Sequence, residues 1–287
     1  MALVNKRKFV QLITALITNL NIKGFFTGTI YQGIIKKICV PGLNCYSCPG
    51  ALGSCPIGAL QAVIGSIRYQ ISYYVLGLVA LFGAIAGRFI CGWLCPFGLI
   101  QELLYKIKTP KLKWTSKNSF LRFGKYLILI IFVILLPALV VDFVGLGAPA
   151  FCKYLCPAGT LEAGIPLVAT NTQLQAITGF LFTWKIALLI ITIVASIIIF
   201  RPFCYTVCPL GAIYALFNKI SLYQINYNKS SCTSCGACVR ACKMNIDITK
   251  TTTSAECIRC GDCVNVCPTG ALSSGFKTKQ DLCKNQQ

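Results

Sequence analysis

Nineteen cysteines and not one histidine, in a chain of 287 residues, limit what this sequence can build more than any other feature. Without imidazole, the usual haem ligand and the commonest non-sulfur zinc ligand are gone, and any metal here is held by sulfur. Apolar residues make up 56% of the chain and charged residues only 12%, too little charge to solvate a globular surface of this size. A wholly soluble protein is therefore excluded. The formal charge of +20 would suggest nucleic acid in a soluble protein. Here the bases flank apolar runs and do not stripe a polar face, which argues against nucleic acid as a partner.

The last quarter of the chain carries the most specific pattern. Cys232, Cys235 and Cys238 followed by Cys242, then Cys257, Cys260 and Cys263 followed by Cys267-Pro268, are two C-x2-C-x2-C-x3-C runs of the kind that holds two 4Fe-4S clusters. In that arrangement the fourth cysteine of each run serves the other cluster. The spacing predicts one site from Cys232, Cys235, Cys238 and Cys267 and a second from Cys257, Cys260, Cys263 and Cys242. Lys243 stands where proline usually follows the first run. Zinc sites favour two separated cysteine pairs, so these spacings point away from zinc.

Upstream the chain repeats itself. The segment from Gly87, GRFICGWLCPFG, aligns with FRPFCYTVCPLG from Phe200: an arginine three residues before a cysteine, a second cysteine four later, then proline. Proline suits the first helical position, so Cys95 and Cys208 stand just ahead of a helix start, where unpaired amides favour thiolate and cluster charge. Cys91, Cys95, Cys204 and Cys208 are thus candidates for one four-sulfur site, with Arg88 and Arg201 as counter-charges. Cys152 and Cys156-Pro157 repeat the C-x3-C-P element and need two partners. Cys45 and Cys48 are one pair; Cys55, in Cys-Pro-Ile-Gly, matches the other helix starts better, and the choice stays open on sequence. Cys39 and Cys283 have no assigned role, with a disulfide one option for Cys39. Four clusters carrying roughly −2 each would lower the net charge to about +12.

Between the cysteine loops lie apolar runs. Tyr69 to Gly87 is 19 residues without a charge, and Tyr126 to Val141 and Ile186 to Phe200 extend past Asp142 and Lys185 toward the roughly 20 residues that span a bilayer. A fourth, Phe9 to about Ile30, is interrupted by Asn19, Asn21 and Lys23 and is predicted to span, with an interfacial helix as the alternative. Lys106, Lys108, Lys111, Lys113, Lys117, Arg122 and Lys125 crowd one connecting segment, whereas the next carries Lys153 alone before Lys185. Positive-inside bias puts the first segment, Lys6 to Lys8 and the tail in the cytoplasm. Tyr73, Tyr74, Phe89, Trp93, Phe97, Trp184 and Phe200 read as an interfacial aromatic belt, and Glu102, Asp142 and Glu162 as solvated acids near span ends.

The sequence therefore predicts a mainly α integral membrane protein. About four transmembrane helices in two internal repeats occupy residues 1–221, and a C-terminal two-cluster ferredoxin-like α+β domain occupies residues 222–287. The C-x3-C-P elements at Cys91/Cys95 and Cys204/Cys208, followed by the double run from Cys232 to Cys267, resemble the NapH-type membrane iron-sulfur proteins, also called polyferredoxins. The membrane parts of NosR-like and CcoG-like proteins are related to these. The loop from Cys39 to Pro56 departs from the simplest NapH pattern. The resemblance implies a multi-pass protein of a prokaryotic inner membrane that moves electrons through 4Fe-4S clusters. The implied partners are the lipid bilayer, a cytoplasmic donor such as a ferredoxin or flavoprotein, and an extracytoplasmic redox protein, a flavin-binding one among the options. Quinone is a further candidate, without a residue set to mark its site. Competing functions are a quinol dehydrogenase subunit, a redox sensor, a maturation scaffold for a metalloenzyme, or a subunit of an ion-pumping complex.

Overall fold

The structure is a computed structural model that describes residues 2–66, 73–113, 116–142 and 146–276. Arg68, Tyr69 and Cys283 lie outside the described residues.

Four helices begin in the same way, at Pro56, Pro96, Pro157 and Pro209. In each, the residue before the proline is a cysteine in extended conformation, with ψ between 105° and 129°, serving as N-cap. Proline at the first helical position sacrifices an amide that has no intrahelical partner, and it fixes φ for the helix. The cysteine sulfur then accepts from an amide of the first turn: Gly159 N to Cys156 Sγ at 3.3 Å and Gly211 N to Cys208 Sγ at 3.4 Å. Glycine at that place also admits neighbours. A Cβ on Gly98 would press on the Arg201 guanidinium at 3.1 Å, and one on Gly159 would meet the sulfurs of Cys45 and Cys156 at 3.6 and 3.7 Å.

The four helix starts converge on one apolar core, in which Ile57, Ile90, Phe97, Phe151, Phe203 and Tyr214 pack among Cys55, Cys91, Cys95, Cys156, Cys204 and Cys208. Phe97 meets Phe203 edge to face at 5.2 Å. Around this core stand two helices long and apolar enough to cross a membrane, Phe120–Leu139 and Phe180–Ile198, mostly uncovered by the rest of the chain. The first runs through π turns at Leu129–Leu135 just before Pro137, which cannot donate to the carbonyl four residues back.

Of the other two expected spans, Tyr69 to Gly87 is described only from Tyr73 on, and the N-terminal one differs from its prediction. Tyr73–Ala86 is a 14-residue apolar helix. The N-terminal run is Ala2–Thr18 and then Ile22–Thr27, parted at Asn19, whose Nδ2 bonds back to the Ala15 carbonyl at 3.0 Å. Phe9, Leu12, Leu16 and Ile17 face outward while Arg7 and Gln11 are buried. Arg7 is therefore no free orienting cation. The aromatic belt also divides: Tyr73, Tyr74 and Trp184 are exposed, whereas Phe97 and Phe200 are core residues.

The tail is a small α+β unit. Strand β1 (Tyr223–Tyr227) pairs antiparallel with β2 (Leu272–Phe276), from Tyr223 opposite Phe276 to Tyr227 opposite Leu272, and brings the two ends of the double cysteine run together. Ala237–Ala241 and Asp262–Asn265 form its short helices. Lys243 pairs with Asp262 at 3.2 Å, tying the first run to the second. Residues 254–259 dock on the helical part: Asn218 Nδ2 donates to the carbonyls of Ser254 and Cys257, Trp93 Nε1 donates to the Arg259 carbonyl, and Glu256 is buried against Arg88 at 2.5 Å and Lys125 at 2.6 Å. Burial pushes the Glu256 carboxyl up, but the two cations prevail and hold it below the usual carboxylate value.

Removing one partner of a buried ion pair strands the other charge, at a cost of roughly 3–5 kcal/mol. Glu256→Ala strands two, Arg88 and Lys125, so hydrogen exchange across residues 254–260 should accelerate strongly in the purified protein. Exchange unchanged from wild type would contradict the role of Glu256 in docking.

Candidate metal centres

The sulfurs gather in four groups. One cavity of about 340 Å³ is lined by Cys45, Cys55, Cys152 and Cys156. The Cys156 thiol lies within electrostatic reach of Cys152, Cys45 and Cys55, and Cys55 within reach of Cys152 and Cys45. Cys48 does not line this cavity; it is buried with its Sγ 3.7 Å from Asn19 Oδ1. The structure thus pairs Cys45 with Cys55, the better match to a Cys-Pro-x-Gly helix start. Cys39 is buried too, in a single backbone bridge to Ser54, and no cysteine among the described residues is paired in a disulfide. Three groups support the cavity wall. Lys185 Nζ donates to the Cys152 carbonyl at 3.2 Å, Gln61 Nε2 to Cys152 Sγ at 3.2 Å, and Cys45 N to Glu162 Oε2 at 2.6 Å.

The second group is Cys91, Cys95, Cys204 and Cys208, all buried, with Cys208 in electrostatic reach of the other three. Its arginines are crossed between the two repeats. Arg88, which precedes Cys91, donates to the Cys204 carbonyl at 3.1 Å, and Arg201, which precedes Cys204, donates to the Cys91 carbonyl. Arg201 takes a left-handed backbone conformation to do so, φ 50°. Each arginine is held by a buried carboxylate that carries a second cation: Arg201 with Glu102 and Arg7, all at 2.7 Å, and Arg88 with Glu256 and Lys125. Glu102 is accordingly a buried partner, and Glu162 a half-buried one that accepts from the Cys45 amide, so neither is a solvated acid.

In the tail, Cys232, Cys235, Cys238 and Cys267 line a cavity of about 460 Å³, open enough that Cys235 is exposed. Cys242, Cys257, Cys260 and Cys263 line an apolar hollow with Ile225 and Met244. These are the two crossed sets that the spacing predicts. The Tyr227 hydroxyl and the Ser234 amide hold the Cys232 thiol below its ordinary pKa, whereas burial pushes the Cys257 thiol up. The second tail group abuts the crossed arginines: Cys257 is in electrostatic reach of Arg88, and a Cβ on Gly92 would collide with the Ile258 carbonyl.

Among the described residues no three Cys, Asp or Glu side chains converge on one point as ligands of a single ion do. Three of the four sulfur groups line a cavity or hollow and the fourth is packed in the core, four cysteines to each, the ligand number of a 4Fe-4S cluster. Arg7, Gln61, Gln101, Lys125, Lys185 and Glu256 escape sequence reading as parts of these centres. For Gln61 and Gln101 a signal exists, since each stands six residues after the cysteine of a Cys-Pro-x-Gly start.

A family model described as a 4Fe-4S binding domain matches residues 70–117, 126–165 and 180–227, and a second 4Fe-4S binding domain model matches residues 253–273. Uncharacterized protein MJ0750 of Methanocaldococcus jannaschii is 32% identical over 79% of this chain and 88% of its own length. The methylamine utilization ferredoxin-type protein MauN of Methylorubrum extorquens is 26% identical over 65% of this chain and 59% of its own, and the regulatory protein NosR of Pseudomonas aeruginosa is 28% identical over 54% and 20%. No solved structure matches the chain. The sulfur groups and these likenesses define a ferredoxin-type electron transport protein that uses 4Fe-4S clusters. It belongs to the family that includes MJ0750.

The placement of Cys55 and Cys48 predicts opposite outcomes for two conservative variants. Cys55→Ser should lower the iron content of anaerobically purified protein by about four atoms per chain, and Cys48→Ser should leave it unchanged. The reverse result would reassign the cavity.

Proposed function

We propose that the chain is a NapH-type membrane subunit that conducts electrons between a cytoplasmic donor and an extracytoplasmic redox partner through four clusters. The observation that carries this reading is the contact between tail and helical part, where the buried Arg88 lies between the Cys257 group and the Cys91/Cys204 group. Bound clusters supply reversible one-electron chemistry. The chain's own residues supply position, burial and counter-charge. Cys232, Cys235, Cys238 and Cys267 form the entry at the exposed end of the tail, and Cys242, Cys257, Cys260 and Cys263 lie beneath it. Cys91, Cys95, Cys204 and Cys208 come next, and Cys45, Cys55, Cys152 and Cys156 form the far end.

A hydrocarbon core of roughly 30 Å is too thick for one efficient tunnelling step, so a conduit needs intermediate stations within it. The four Cys-Pro helix starts set such stations inside protein, where irregular backbone is shielded from lipid. In this reading Phe120–Leu139 and Phe180–Ile198 cross the bilayer, Tyr73–Ala86 and the apolar outer face of Ala2–Thr18 complete the lipid-facing surface, and the basic segment from Lys106 to Arg122 keeps the tail cytoplasmic.

Cys204→Ala tests the path. It removes one ligand of the third station and leaves all eight tail cysteines. In proteoliposomes a tail-side reductant should still reduce the tail clusters, while reduction of an enclosed acceptor falls to background in a monodisperse sample short by about four iron atoms. Undiminished transfer in such a sample would overturn the conduit.

A further inference from the structure

Two fully buried glutamines occupy equivalent places after two of the Cys-Pro-x-Gly helix starts, and the reading above gives them no part in the electron chemistry. Gln61 follows Cys55-Pro56-Ile57-Gly58, and Gln101 follows Cys95-Pro96-Phe97-Gly98. Each points across to the first cysteine of the opposing C-x3-C loop: Gln61 Nε2 lies 3.2 Å from Cys152 Sγ, and Gln101 Nε2 lies 3.2 Å from Cys204 Sγ. The orientation of each amide is set by its other bonds. Gln61 Nε2 also donates to the Ile57 carbonyl at 3.2 Å while its Oε1 accepts from Phe151 N at 2.9 Å, and Gln101 Nε2 also donates to the Phe97 carbonyl at 3.4 Å. The nitrogen, and not the oxygen, therefore faces the sulfur in both. Their exposures of 0% and 1% mean that each polar amide has been desolvated; bonds satisfy both ends of Gln61, whereas only the nitrogen of Gln101 is bonded and its Oε1 has no hydrogen-bond partner among the described residues.

We propose that Gln61 and Gln101 are redox-tuning residues, each donating an N–H to one cysteine sulfur and so raising the reduction potential of the cluster at its own site alone. The reason is electrostatic. One-electron reduction adds negative charge that spreads onto the cysteine sulfurs, and a donor fixed on one of them in an apolar interior stabilises the reduced form more than the oxidised form. The proposal rests on the reading that both membrane sites carry clusters, and iron analysis separates failure of that reading from failure of the tuning.

The test is an anaerobic redox titration, followed by electron paramagnetic resonance, of the full-length protein and of Gln101→Met and Gln61→Met, which keep side-chain length and remove the donor. Each variant should lower one midpoint by about 59 mV, a tenfold shift in a one-electron equilibrium. The midpoint that moves should differ between the two variants, and the others should stay in place. A space-filling role would leave every midpoint unmoved in cluster-replete protein, and that result overturns the proposal. Should a methionine variant be short by about four iron atoms, the uncharged Gln→Leu variant at that position decides: a lowered midpoint supports tuning and an unchanged one overturns it. Loss of the same cluster from both variants would make the glutamine a scaffold residue and equally overturn it.

Discussion

Burying charge beside sulfur is the constraint on which the structure depends. Arg7, Arg88, Lys125 and Arg201 are almost wholly removed from solvent, and isolated cations in such a setting would be prohibitively costly. They persist because Glu102 and Glu256 each sit between two of them, and because Arg88 and Arg201 also bond carbonyls of the opposite repeat. Within these two ion-pair groups, four cations against two carboxylates leave an excess of two positive charges between the Cys91/Cys204 and Cys257 groups. That excess matches the roughly −2 of an oxidised four-thiolate cluster. One carboxylate of the balance, Glu256, comes from the tail, so the charge of the membrane site and the docking of the ferredoxin-like domain are one problem with one solution.

The same economy appears in the helix starts. A cysteine at the N-cap, proline after it and glycine two residues later give a sulfur that meets first-turn amides and a backbone that lets a neighbouring group approach. Four repetitions of that device, at Cys55, Cys95, Cys156 and Cys208, give the helical part its centre. The long apolar helices then need only cover the outside.

What was legible in the sequence is what local chemistry decides. Ligand spacing in the tail is local, and the two crossed sets come together as the spacing predicts because strands β1 and β2 close the unit. The Cys-Pro starts are local as well, so Cys55 matches the other helix starts on sequence, although spacing alone leaves the choice between Cys48 and Cys55 open. Long-range pairing was not legible. Lys125 reads as one more basic residue beside an apolar run until Glu256, 131 residues away, is seen against it. Glu102 reads as a solvated acid until Arg7 and Arg201 close on it. The break at Asn19 was visible as polarity within an apolar run, but hydropathy alone does not say that one face of that helix is buried against Gly92 and Glu102.

The central claim, that one chain holds a continuous series of four clusters from an exposed tail site to a half-buried far site, is tested most directly by a density map of the anaerobically prepared protein in a lipid nanodisc. Four compact iron-rich densities are expected, at Cys232/Cys235/Cys238/Cys267, Cys242/Cys257/Cys260/Cys263, Cys91/Cys95/Cys204/Cys208 and Cys45/Cys55/Cys152/Cys156, with the last two within the helical part. Density confined to the two tail sites, in protein whose iron and sulfide content matches two clusters, would contradict it.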